Sequence, residues 1–302
     1  MLGSAAGGGF PQANCNCRNC SDVRQGKPGL RARTQSSIAV SADGWSWVLL
    51  NASPDLRQQI AATPELAPRP RDPARTSPIK AVVLTNGDVD HVAGLLSLRE
   101  GFRFDLFASG RVLGALQDNR IFDVLDPACV KRLPLAPGAM VAPTGIELRI
   151  ESFAVPGKVA LYLEQLTSGD NFGTRDGDTI GLRITDPSSG AAAFYIPGCA
   201  TVNAALAARL RGARLVLFDG TLYTDDEMIT LGLSAKSGRR MGHMAMSGAD
   251  GSLAAFRDLG VGQRIYVHLN NSNPVLREDS PERAEVERAG WSVAWDGMEI
   301  RL

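Results

Sequence analysis

Histidine is the scarcest residue in this chain. Only His91, His243 and His268 occur among 302 residues, so any site that uses imidazole must draw on these three. No stretch reaches the roughly 18 consecutive apolar residues of a membrane span, which argues against membrane insertion. Charge of one sign is missing too: 32 Lys and Arg face 32 Asp and Glu. That balance gives no global electrostatic case for nucleic acid or an anionic surface. The opening "MLGSAAGGGFPQANCNC" lacks a basic start and a long apolar core, so no secretory signal is expected and the chain is placed in the cytoplasm. Nothing here fixes the oligomeric state, which leaves room for a homo-oligomer.

What is present suits a globular protein: 44% apolar and 21% charged residues, in a chain long enough for one large domain or two small ones. "SSIAV" and "SWVLLNAS" read as strands around the turn "SADG". A helix is expected from Ser53 as N-cap with Pro54 at its first position. Residues 64–78, rich in proline, read as loop. "IKAVVLTN" is a short buried strand, followed by a short helix in "AGLLSLREG". Residues 145–166 and 179–197 read as strand pairs, the second around "DPSSG". Further on, helices ("NAALAARLRGA", "GSLAAFRDLG", "SPERAEVERAG") alternate with strands ("RLVLFDGT", "RIYVHLNN"), and "WSVAWDGMEIRL" closes with strands. The pattern predicts layered α/β with mixed sheets.

Three cysteines crowd into Cys15, Cys17 and Cys20. Three thiolates that close can wrap one soft tetrahedral ion, and zinc is the natural choice. A fourth ligand is not evident nearby. Cys129 and Cys199 stand alone and read as small packed residues. The run Gly7-Gly8-Gly9 lacks a phosphate-loop pattern and reads as a tight turn that lets backbone approach something closely. Little precedes it, which leaves open a truncated start.

A second set gathers at strand ends, where layered α/β proteins collect ligands. Asp90 and His91 follow "AVVLTN", Asp219 ends "RLVLF", and His268 follows "RIYV". Two histidines with carboxylates suit one divalent metal, including ferrous iron with open positions. Each residue has a plainer reading: Asp90 as a helix cap, Asp219 in an Asx turn, His268 as a hydrogen-bonded core histidine. His243, in "GRRMGHMAMSG", reads as a proton donor or substrate contact. Arg239 and Arg240 read as a candidate clamp for a substrate carboxylate, with a solvated pair as the alternative.

"TNGDVDHVAGLLSLRE" resembles the metallo-β-lactamase motif HxHxDH, and "CNCRNC" resembles the structural zinc loop of that fold's phosphodiesterase branch. With "LGSAAGGGFPQANCNCRNC", "NASPDLRQQI", "FDGTLYTDDEM", "MGHMAMSG" and "HLNNSNPVLREDSPERAEV", the chain looks like the pyrroloquinoline quinone (PQQ) biosynthesis protein B family from residue 2 to 302. The resemblance implies one αββα four-layer sandwich of two mixed β-sheets over residues 1–302, with a zinc loop at about 14–21. It implies iron-dependent, oxygen-using hydroxylation of the tyrosine ring in a Glu–Tyr crosslinked, peptide-derived PQQ precursor. A carrier moving PQQ or its precursor to the periplasm is the alternative.

The departure from the hydrolase pattern is specific. Asn86 and Asp88 stand where the first two histidines would be, and "FAVPGKVALYLE" carries Lys158 and no histidine. The first of the two hydrolase metal sites has therefore lost its imidazoles, and a binuclear hydrolase is not expected. The resemblance leaves Asp90, His91, Asp219 and His268 as ligands of Fe(2+), with Asp88 and His243 as catalytic groups. It also leaves Cys15, Cys17 and Cys20 on Zn(2+). His268 is assigned to the catalytic metal rather than to the zinc.

Overall fold

The computed structural model describes residues 1–165 and 172–302. The first sheet runs in chain order: β1 (Ile38–Val40), β2 (Trp47–Leu50), β3 (Ile79–Val83), β4 (Phe104–Ala108) and β5 (Val130–Pro134). Only β1 and β2 pair antiparallel, as a hairpin around the expected turn; the rest are parallel. The second sheet contains β6 (Met140–Val141), β7 (Arg149–Ala154), β8 (Ile180–Thr185), β9 (Ala192–Ile196), β10 (Leu215–Asp219), β11 (Gln263–Val267) and β12 (Trp291–Val293). Strands β6 to β9 form an antiparallel meander, and β9 to β12 are parallel. Both sheets are mixed.

Strand alternation explains why the sheets stack. On β2, Val48 and Leu50 point into a core shared with Tyr195, Leu217, Ile265 and Val267 of the other sheet. Leu49 points the opposite way, into a core with Leu56, Leu95 and Leu116 beneath the outer helices. On β10, Leu217 faces the central core, while Val216 and Phe218 pack outward with Leu206, Leu210, Phe256 and Val286. Three apolar cores separate four layers, an αββα sandwich.

The helices are α1 (Arg18–Arg24), α2 (Leu56–Ala61), α3 (Val89–Val92), α4 (Gly110–Asp118), α5 (Ala204–Leu210), α6 (Glu227–Thr230), α7 (Gly238–Met241), α8 (Ser252–Ala255) and α9 (Pro281–Arg288). Ser280 caps α9 by accepting from Arg283 N. Helix α2 begins later than its Ser-Pro signal predicts. Ser53 Oγ is spent on Gln59 Oε1, and Asp55 takes the cap position with its carboxylate turned to Gln35.

Other boundaries also move. "AGLLSL" is 3-10 rather than α-helix. The expected pair at 145–166 is one strand, β7, followed by a loop; its last residue lies outside the described residues. The chain end gives only β12. No described helix is long and apolar enough to cross a membrane.

Candidate metal centre

The strand-end residues meet where the sheets join. Ile180 N donates to Thr85 O at 2.8 Å, and Asn86 bridges to Thr179, tying the end of β3 to the start of β8. Parallel pairing of β10 with β11 sets Asp219 opposite Val267, so His268 emerges beside it. Asp90 and His91 arrive on α3, just past β3. Asp90 does not cap this helix, since Asp88 holds that position; its Oδ2 lies 3.0 Å from His268 Nε2.

Ligand atoms of Asp90, His91 and His268 lie within 4.8 Å of one another. So do those of Asp219, His243 and His268. The two triads share His268, and the four residues expected on one ion are divided between them. Asp219 is fully buried and heavily engaged. Its Oδ1 accepts from Thr221 N and Thr221 Oγ1; its Oδ2 accepts from Cys199 N and lies 2.7 Å from His243 Nδ1. The Asx turn and the site contact are thus both real.

The imidazole tautomers follow from their partners. Asn86 Oδ1 accepts only, and it lies 2.6 Å from His91 Nδ1. His91 Nδ1 therefore carries the proton, which leaves Nε2 with a bare lone pair. That Nε2 is buried and has no hydrogen-bond partner. A buried polar atom without a partner is costly and calls for an explanation; an ion is one. Thr221 Oγ1 gives its single proton to Asp219, 2.6 Å away, so it accepts from His268 Nδ1 at 2.9 Å. His268 Nε2 faces Asp90 Oδ2 at 3.0 Å, a contact that an ion between them would replace. This chemistry fits a divalent metal held by two neutral imidazoles and a carboxylate.

His268 sits at φ 59, the left-handed region that non-glycine residues avoid at about 1–3 kcal/mol. Leu269 N anchors the turn by donating to Ser4 O at 2.9 Å. The N-terminal strap runs alongside: Ala5 bridges to Leu269, and a Cβ built on Gly7 would stand 3.5 Å from Asp90 Cγ. Gly7 of the glycine run thus lies against Asp90, at a distance that ordinary side-chain contact also allows.

Charge is distributed unevenly. Burial pushes His91 down to about 4, favouring the neutral ligand form. Burial opposes ionisation of Asp90, but His91 and His268 outweigh it and hold its carboxyl low. Asp88 moves the other way, raised by burial and by the Asp90 charge. His243 is raised: burial works against its charge, and Asp219 overcomes that. A pair of carboxyls driven apart suits acid–base work.

The cysteines also converge. Cys15, Cys17 and Cys20 form one group of sulfurs, with Cys17 capping α1. The Asn271 amide closes the fourth side: its Nδ2 lies 3.1 Å from Cys15 Sγ, 3.3 Å from Cys20 Sγ and 3.7 Å from Cys17 Sγ. Amide nitrogen and oxygen exchange by a flip, so the same side chain can present its oxygen there. Three thiolates and an oxygen fit zinc. Asn19 fastens this loop to the segment after His268, through the carbonyls of Asn271, Ser272 and Asn273.

The two arginines of the expected clamp are placed differently. The Arg239 side chain is 68% exposed and reaches Asp250 at 3.7 Å, so it faces solvent. Arg240 already has a bidentate carboxylate, Glu164, and stacks on Phe172. Sequence reasoning missed Thr221, Asn271 and the orienting role of Asn86. The only signal was amides and a hydroxyl standing where histidines belong in the hydrolase motif or beside the aspartate.

The model of the beta-lactamase superfamily domain matches residues 46–269. Coenzyme PQQ synthesis protein B of Xanthomonas campestris pv. campestris (strain B100) is 53% identical over 302 residues, covering 100% of this chain and 99% of that protein. The corresponding protein of Methylorubrum populi is 51% identical, with the same coverage. The crystal structure of zinc-bound PqqB from Methylobacterium extorquens superposes with a TM-score of 0.95 at 51% identity, covering 100% of this chain and 98% of that one. A diphosphatase of the PhnP family, 20% identical with a TM-score of 0.68, shares the fold.

Proposed function

The chain belongs to the family of coenzyme PQQ synthesis protein B, whose place is in making pyrroloquinoline quinone, and on that premise we propose that it is an iron-dependent, oxygen-using hydroxylase. Its substrate would be the tyrosine ring of a Glu–Tyr crosslinked, peptide-derived precursor, with molecular oxygen as co-substrate. The observation that carries this reading is His91 Nε2: buried, partnerless and bare, beside Asp90 Oδ2 and the second imidazole, His268.

Asp90, His91 and His268 would hold the ion, with Asp219 Oδ2 as the fourth donor at the expense of its contact with His243. Ferrous iron bound there would supply the oxygen activation. The remaining work falls to the chain. Asn86 and Thr221 fix the two imidazoles with Nε2 available. Asp88, its carboxyl raised by burial and by the Asp90 charge, is the group placed to pass a proton at the site. His243, whose Nδ1 also lies 3.0 Å from Thr221 Oγ1, binds or protonates the phenol oxygen. Zinc at Cys15, Cys17, Cys20 and Asn271 would be structural, fixing the loop that follows His268. Five unpaired thiols suit a reducing cytoplasm.

Asp90→Ala and His91→Ala separate this reading from a carrier. An enzyme loses precursor conversion in both variants while still binding the precursor. A carrier keeps pathway output, and that result would remove the catalytic reading.

A further inference from the structure

Beside the metal centre, two cations share one buried carboxylate. Glu164 Oε1 pairs with Lys158 Nζ and lies 3.2 Å from Arg240 Nη1, while Oε2 lies 2.8 Å from Arg240 Nη2. The Glu164 side chain is 6% exposed, Lys158 14% and Arg240 25%. Among the described residues, Glu164 is the carboxylate that pairs with both cations, and its side chain is largely withdrawn from water with theirs. The cluster is an anion site occupied by a carboxylate of the chain itself.

It adjoins the proposed chemistry. Lys158 packs on Gly242, whose φ of 87 and missing side chain admit it, and His243 is the next residue. The Lys158 charge also reaches Asp88, where with His243 it offsets part of the rise caused by burial and Asp90. The Arg240 guanidinium lies 3.3 Å from the Phe172 ring centroid, so the site combines a carboxylate fork with an aromatic face.

The segment that delivers Glu164 is short and partly exposed, with Gln165 N donating to Phe172 O at 2.9 Å just beyond it. Residues Leu161–Leu163 make a single 3-10 turn, with Leu161 and Tyr162 58% and 46% exposed. Leu161 N reaches Asp88 Oδ1 at 3.4 Å, and Tyr162 Oη donates to Gly87 O at 3.0 Å. Trading Glu164 for an incoming carboxylate keeps the number of ion pairs and requires this turn to move.

We propose that Lys158 and Arg240 form a carboxylate-binding site beside the metal centre, that Glu164 occupies it as an internal stand-in, and that a carboxylate on an aromatic ligand displaces it. The natural ligand's identity rests on the hydroxylase reading; the site does not.

Calorimetry on the full chain as purified, with benzene-1,3-dicarboxylate as probe, tests it. Glu164→Gln removes the competitor and is expected to bind about tenfold more tightly than wild type, about 1.4 kcal/mol. Adding Arg240→Met should abolish the gain. Equal affinity in wild type and Glu164→Gln overturns the proposal, and so does a gain that survives Arg240→Met. Should Glu164→Gln fold poorly, hydrogen exchange on wild type decides. Saturating probe should speed exchange at residues 161–165 as Glu164 is released, and unchanged or slower exchange counts against the site. Neither readout involves turnover, so probe binding without hydroxylation sinks the hydroxylase reading alone.

Discussion

His91 Nδ1 lies 2.6 Å from Asn86 Oδ1, and the opposite nitrogen of the same ring has no partner. Asn86 occupies a position that is a metal-ligating histidine in the hydrolase motif the chain resembles. Here its amide orients the His91 ring. Asn86→Ala should weaken metal binding at the strand-end centre by about 10–100-fold, the usual effect of losing an orienting partner. Competitive metal titration measures this. Unchanged affinity would mean that Asn86 does not fix His91.

Asp88 and Asp90 are two residues apart and titrate in opposite directions. Asp88→Asn should therefore spare metal content while cutting turnover by about 10²-fold, as expected of a lost proton-transfer group. The pH–rate profile should lose one limb. A variant that loses its metal instead would make Asp88 a ligand.

Much of the site was legible because it follows strand ends. Asp90, His91, Asp219 and His268 each trail a run of Val, Leu, Ile or Tyr, and parallel pairing brings such ends together. The sandwich was legible from the order of strands and helices together with the family motifs. Thr221 was not, because a hydroxyl two residues past an aspartate looks like any turn. Glu164 was hidden for another reason: its partners, Lys158 and Arg240, lie 6 and 76 residues away, and only loop closure pairs them. The late start of α2 came from Ser53 finding a tertiary partner in Gln59 instead of the helix backbone.

Asn19 ties the cysteine loop to the chain just beyond His268. Its amide faces three carbonyls at 3.0–3.2 Å with two protons to give. Asn19→Ala leaves those buried carbonyls short of donors, at about 1–3 kcal/mol. Thermal unfolding should drop by several degrees with zinc content retained. Affinity at the strand-end centre should fall as well, because the loop after His268 loosens. A full-strength strand-end site in a destabilised variant would show the two centres to be independent.

Glu227 supplies the pH dependence. It is buried, accepts from Ser272 Oγ and Tyr223 N, and burial pushes it up from 4.5 to about 7. The folded state thus holds this proton more tightly than the unfolded state, so stability is lost as pH rises from 4.5 through 7. Glu227→Gln mimics the protonated form. It should raise the melting temperature by about 2–4 °C at pH 8 and leave it unchanged at pH 4.5. Equal shifts at both values would remove Glu227 as the cause.

The central claim is oxygen chemistry at Asp90, His91 and His268. Protein loaded anaerobically with ferrous iron, shown by metal analysis to carry iron in addition to zinc, should be given the Glu–Tyr crosslinked precursor and then oxygen, and the products weighed by mass spectrometry. A precursor heavier by oxygen, formed by wild type and not by His91→Ala, is the predicted result. Precursor of unchanged mass beside fully iron-loaded protein would contradict the account.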